Sequence, residues 1–110
     1  MTLRVLFSDS SRGWSGIQKW MVLSAKEFSR RGWQTIAAGR PENEFVRRAD
    51  SAGVETVVWP FAGDFDPRTI TAALDLMRRR RIDLVVAVAP RDIRTVGIAA
   101  WLSRRPVVFR

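Results

Sequence analysis

A chain of 110 residues makes one domain at most, and 46% hydrophobic with 27% charged residues is a globular composition, not a disordered one. Cysteine and histidine are both absent, which excludes disulfides, thiolate and imidazole metal ligands, an imidazole general base and a Ser-His-Asp triad within the chain. The formal charge of +8 rests almost wholly on arginine, Lys19 and Lys26 being the only lysines; it points to an acidic partner (nucleic acid, anionic lipid or a phosphorylated ligand) or to a composition bias of the source genome.

Strand and helix signals alternate from end to end. Leu3 to Ser8 reads as a first, buried strand. A glycine-bearing loop, Asp9 to Gly16, follows, with Ser15 placed to cap a helix. Ile17, Met21, Ser24/Ala25 and Phe28 then recur at helical spacing, and Arg30-Arg31-Gly32 supplies cations and a glycine where that helix should end. Gln34 to Ala38 reads as a second strand, Glu42 to Ala52 as a helix closed by Gly53, and Val54 to Trp59 as a third strand stopped by Pro60. Asp66-Pro67 predicts the cap and first residue of a third helix, with Ile70, Ala73/Leu74 and Met77 inward. Asp83 to Ala89 is a nearly all-apolar strand, as expected where both faces are covered. Asp92 is placed to cap a fourth helix with Ile93, Val96 and Ala100 inward, and Pro106 to Phe109 reads as a fifth strand.

This alternation predicts a Rossmann-like, doubly wound α/β domain with a parallel sheet of about five strands and right-handed crossovers. The order 3-2-1-4-5 is favoured; a flavodoxin-like 2-1-3-4-5 is the alternative. A doubly wound domain seldom stops at its fifth strand, so residues 1–110 are expected to be the front part of something longer, an incomplete domain with a poorly covered fifth-strand edge.

The first loop lies at the carboxyl end of the first strand, where open α/β sheets bind anionic ligands. Gly13 and Gly16 serve either a tight turn into the helix or an anion, phosphate or sugar hydroxyl held on the N–H groups near Ser15 to Ile17. The spacing Gly13-x-x-Gly16 is not G-x-G-x-x-G, and no P-loop lysine pattern is present, so a nicotinamide dinucleotide fingerprint is unsupported. Asp9 could reach an acceptor hydroxyl as a base, or bond its own loop backbone. Trp14 could stack on a sugar ring or pin the loop. Arg91 could hold a phosphate or sugar carboxylate with its forked donors, or pair with Asp92 to order the helix start.

From the first strand through Asp9-Ser10-Ser11-Arg12-Gly13-Trp14-Ser15-Gly16-Ile17-Gln18-Lys19-Trp20-Met21, the chain resembles the start of the family-four glycosyltransferases, which have the GT-B fold. Phe28 to Thr35 resembles their "L-x-x-x-G-H-x-V" step, Asp50 to Val58 their "x-x-G-V-x-V" strand, and Arg81 to Val86 their "x-P-D-V-V-H" strand. Ile98 to Leu102 and Pro106 to Phe109 resemble their "A-A-x-L…P-V-V" unit, so the likeness covers essentially the whole chain. It implies the amino-terminal, acceptor-side domain of an enzyme that moves a sugar from a nucleotide-sugar donor to an acceptor hydroxyl, with no cofactor and usually no metal. The donor-binding domain, with its E-x7-E carboxylates, is missing, so the isolated chain is expected to be inactive. The resemblance implies that Gly13, Ser15 and Gly16 face the donor's phosphates or the acceptor, with Gln18 and Lys19 starting the helix beside them; the residue reading adds Trp14, Arg91 and Asp92 as candidate substrate- or phosphate-binding residues, and Asp9 is the candidate catalytic group. The sequence departs from the family at Val86-Ala87-Val88, where many members carry H-x-H, and at Gln18, where a glutamate is frequent.

Asp64-Phe65-Asp66 imitates a metal-binding D-x-D, but the cap before Pro67 accounts for Asp66, and no metal is expected. Arg78-Arg79-Arg80-Arg81 ends the third helix, either as solvated cations or as a peripheral contact with an anionic membrane. Nucleic-acid binding is not expected, because no aromatic-interleaved basic stretch or recognition-helix pattern is present. The apolar run after Met1-Thr2-Leu3-Arg4 is too short for a signal peptide and no segment approaches a membrane span, which predicts a cytoplasmic protein, with the inner membrane face as the place of any lipid contact. The rival function is a non-catalytic, flavodoxin-like binding or regulatory module for an anionic ligand or partner.

Overall fold

The structure, a computed structural model, describes residues 2–109. Five parallel strands form one sheet: β1 (Arg4–Asp9), β2 (Gln34–Gly39), β3 (Glu55–Val58), β4 (Leu84–Ala87) and β5 (Val107–Phe109), in the order β3-β2-β1-β4-β5. This is the 3-2-1-4-5 order favoured above, not 2-1-3-4-5. β1 is central: Leu6 lies opposite Ile36 of β2 and Val85 of β4.

Strand side chains alternate between faces, so each strand feeds two cores. Val5, Phe7, Ala37 and Val86 pack with Met21, Ala25, Phe45 and Ala49, from helices α1 (Gly16–Arg30) and α2 (Glu44–Ser51). Leu6, Ile36, Ala38 and Val85 pack on the opposite face with Ala73, Leu76 and Met77 of α3 (Pro67–Arg79) and with Val96, Ala99 and Ala100. β1 residues Val5 to Asp9 are buried without exception. Burial of this kind, at about 25 cal/mol per Å² of apolar surface, is the main term holding the layers together.

Helix ends follow local chemistry. After α1, Gly32 takes φ +87, and the Trp33 N–H returns to the Phe28 carbonyl at 3.0 Å; Gly53 takes φ +82 after α2. Both positions need the left-handed conformation that glycine adopts without strain. α2 starts later than the expected Glu42. Glu42 itself turns at φ 62, and Asn43 caps the helix by accepting the Val46 N–H at 2.9 Å.

The final helical rod also departs from expectation. α4 (Pro90–Asp92) runs through one π turn, Ile93–Gly97, into α5 (Ile98–Leu102). Its N-cap is Ala89, not Asp92, because Pro90 occupies the first helical position. Val96 and Ala100 are buried as expected, but Ile93 is exposed. Ile93, Ile98, Trp101 and Val107 line an open apolar hollow of about 410 Å³ beside β5. Of the five tryptophans only Trp59 is buried, and Trp101 is 76% exposed.

Candidate functional site

The sheet order reverses between β1 and β4, so the crevice beyond their carboxyl ends is the switch point where open α/β sheets bind ligands. Three segments meet there: the Ser10–Ser15 loop after β1, the Arg40–Asn43 turn after β2, and Val88–Asp92 after β4.

Two buried carboxylates sit beneath the crevice. Asp92 accepts from the Ser8 hydroxyl at 2.7 Å, the Ala89 N–H at 3.0 Å and the Ser10 N–H at 3.1 Å. It thereby ties β1, the first loop and α4 together. Burial raises its pKa above the usual carboxylate value against the pull of those three donors, and the Asp9 carboxylate adds to the rise. Asp9 Oδ1 accepts from the Ser11 N–H at 3.0 Å and the Ser11 hydroxyl at 2.7 Å. Its Oδ2 is buried with no hydrogen-bond partner. Asp9 is thus a turn aspartate bonded to its own loop, with one oxygen left over.

The first loop is held by side chains rather than by glycine. Gln18 is buried; its Oε1 accepts from the Ser15 N–H at 2.9 Å, and its Nε2 donates to the Ser11 hydroxyl at 3.0 Å. Gln18 is therefore spent on the loop, and Ser15 is the N-cap of α1. Asn43 Nδ2 donates to the carbonyls of Asp9 at 2.9 Å and Ser11 at 3.1 Å, binding the loop to α2. Trp14 is half-buried against the α1–α2 core, with the Arg48 guanidinium 4.5 Å from its ring centroid, a cation–π contact. It pins the loop. Neither Gly13 nor Gly16 has a positive φ, and a Cβ at either would meet nothing within 4 Å, so neither backbone conformation nor space demands glycine at these positions. Gly16 and Lys19 are exposed.

The crevice itself is basic. Ser10, Ser11, Arg12, Arg40, Arg91 and Arg94 line a cavity of about 380 Å³, and among the described residues Asp64 is the one carboxylate on its wall. Asp64 faces Arg94 at 2.9 Å and Arg91 at 3.6 Å. The expected Arg91–Asp92 pair does not form, because Asp92 turns inward to the backbone donors and Arg91 outward to Asp64. Arg91 Nε is buried without a hydrogen bond. Arg12 and Arg40 have no ion pair among the described residues. Burial, then the charges of Arg12 and Arg91, hold the Arg40 guanidinium below its ordinary pKa. Sequence reasoning found Arg91 but missed Arg12 and Arg40. The available signal was that each directly follows a strand's carboxyl end or sits in the first loop.

Elsewhere, Asp66 caps α3, accepting from the Arg68 N–H at 3.2 Å and the Thr69 hydroxyl at 2.9 Å. Among the described residues no group of three or more carboxylates is arranged to hold a metal ion. The arginine run at the end of α3 is partly neutralised: Arg79 meets Asp75 at 2.8 Å and Arg80 meets Glu55 at 2.6 Å. No helix of the described residues is long and apolar enough to cross a membrane.

No family model matches the chain, and no curated protein matches it. Solved structures do. The chain is similar to MurG of Acinetobacter baumannii at 17% identity and a TM-score of 0.80, covering 97% of this chain and 34% of that one. It is similar to Anabaena HepE, solved in complex with UDP, at 20% identity and a TM-score of 0.72, covering 97% of this chain and 29% of that one. It is also similar to the C-terminal domain of a Pyrococcus furiosus hydrogenase, at 17% identity and a TM-score of 0.70, covering 99% of this chain and 91% of that one. The chain thus has the fold of one Rossmann-like unit of GT-B glycosyltransferases and spans about a third of their length.

Proposed function

We propose that the chain is the acceptor-side half of a glycosyltransferase that moves a sugar from a nucleotide-sugar donor to an acceptor hydroxyl. The observation that carries this reading is the basic crevice at the β1–β4 switch point, set above buried Asp9 in a fold shared with glycosyltransferases. HepE is solved with UDP, which agrees with a nucleotide-sugar donor for this chain. In this reading Asp9, whose Oδ2 has no hydrogen-bond partner, takes the proton of the acceptor hydroxyl. Gly13, Ser15, Gly16 and Lys19 border the donor phosphates, no metal takes part, and a second domain completes the cleft. The protein works in the cytoplasm, and Arg78 and Arg81, which keep their charges free of carboxylates among the described residues, supply any contact with an anionic membrane.

Two assays test the reading together. The purified 110-residue chain should turn over no UDP- or GDP-hexose, while the polypeptide encoded onward from its native locus should, with Asp9→Asn reducing kcat. Sugar transfer by the 110-residue chain alone would overturn the half-site claim. Absence of transfer from any nucleotide sugar by the longer protein would overturn the enzyme claim. The second reading, a non-catalytic binding module, draws on the missing histidines and on the near-complete cover of a solved single domain of the same fold. A stop codon after Arg110, together with a folded monomer, would favour it.

A further inference from the structure

Two adjoining hollows share Arg12 and Arg40 as a common wall. One, about 380 Å³, is closed by Arg91 and Arg94; the other, about 450 Å³, by Asn43, Glu42 and Pro60. Four guanidiniums thus border the first hollow against one carboxylate, and Asp64 is already occupied by Arg94 and Arg91. Among the described residues neither Arg12 nor Arg40 is within ion-pair distance of a carboxylate, and the one acidic side chain on the second hollow, Glu42, is paired with neither. Like charges crowded on a partly desolvated wall cost stability unless an anion joins them. Planar guanidinium forks match the oxygens of a phosphate two at a time, and several forks on one centre suit a dianion better than a single carboxylate.

We infer that Arg12 and Arg40, with Arg91, form a subsite for a phosphate monoester dianion, so that the acceptor handled at this cleft is a phosphorylated small molecule. The inference rests on the glycosyltransferase reading for the word acceptor and on the side-chain geometry alone for the phosphate. A nucleoside diphosphate presents related chemistry, so the test must separate the two sources.

The experiment is isothermal titration calorimetry of the purified chain at low ionic strength with inorganic phosphate, a hexose 6-phosphate and UDP. Arg12→Ala and Arg40→Ala, checked for folding by circular dichroism, are compared with Arg30→Ala, an equal loss of charge on an exposed helix end. Phosphate and hexose phosphate should bind, each crevice variant should weaken them roughly tenfold or more, and Arg30→Ala should leave them unchanged. Equal effects of all three variants, or no binding of hexose phosphate at millimolar concentration, would overturn the subsite. Binding of UDP but not of hexose phosphate would overturn the acceptor assignment. Arginine-dependent phosphate binding in a protein that transfers no sugar would sink the enzyme reading alone. Transfer to a neutral acceptor, undisturbed by Arg40→Ala, would sink the phosphorylated-acceptor assignment alone.

Discussion

Asn43 is the residue on which the crevice depends mechanically. Its Oδ1 caps α2 through the Val46 N–H at 2.9 Å, and its Nδ2 holds the carbonyls of Asp9 and Ser11 at 2.9 and 3.1 Å. Asn43→Ala removes a cap worth about 1 kcal/mol. It also strips a donor from two carbonyls in a part-buried position, at about 0.5–1 kcal/mol each. The sum is roughly 2–3 kcal/mol, a large share of the ~5–15 kcal/mol that holds a domain together. For a chain of this length that is a fall in Tm of about 10–15 °C. Asn43→Ser keeps an oxygen for Val46 but loses both donations, and should cost about 1 kcal/mol less than Asn43→Ala. Urea unfolding of the three proteins gives the comparison, and limited trypsin cleavage after exposed Arg12 reports release of the loop. An alanine variant within about 0.5 kcal/mol of the parent would refute the reasoning. So would serine and alanine variants of equal stability, because the cap would then carry nothing.

Other outcomes follow from the same geometry. A Cβ at Gly39 would lie 2.6 Å from Val46 Cγ2 and 2.8 Å from Asn43 Nδ2, so Gly39→Ala should destabilise by about 1–3 kcal/mol in urea unfolding. Gly13→Ala and Gly16→Ala meet open space and should stay within about 0.5 kcal/mol of the parent; a large loss there would mean the loop is packed differently. Asp92 has a folded pKa raised by burial, so its favourable contribution is complete below the ordinary carboxyl range and fades as pH rises through the raised value. Asp92→Asn, neutral throughout, should therefore cost less stability at pH 7 than at pH 4, and the reverse order would contradict the burial argument. Arg80→Ala breaks a fork on Glu55 that is about half exposed, and should cost under about 1 kcal/mol, less still at high salt.

The sheet was legible because its signals are local. Apolar strands, the Ser15 and Asp66 caps, and the glycines at 32 and 53 each announce themselves within a few residues of chain. Where two local rules competed, the weaker one was followed: Asp92 looks like an N-cap, yet Pro90 at the first helical position already fixes the cap at Ala89. Asn43 carried a cap signal that the adjoining Glu42 obscured, since nothing in the sequence says that Glu42 will turn at φ 62. The π turn that accompanies an exposed Ile93 leaves no pattern to read. The crevice was half legible. Arg91 was found from its place after β4, whereas its meeting with Arg12 and Arg40 comes only from three strands ending side by side, a relation that no window of sequence contains.

An anion-binding cleft at the carboxyl end of this sheet, between β1 and β4, underlies both the proposed function and the phosphate subsite. The most direct measurement is a titration of the isotope-labelled chain with inorganic phosphate, followed residue by residue through its backbone amide NMR signals. Saturable shifts confined to Ser10–Arg12, Gly39–Asn43 and Ala89–Asp92, and reduced in Arg40→Ala, are the expected result. Shifts centred instead on Arg78 to Arg81, or spread evenly over the exposed arginines, would contradict it.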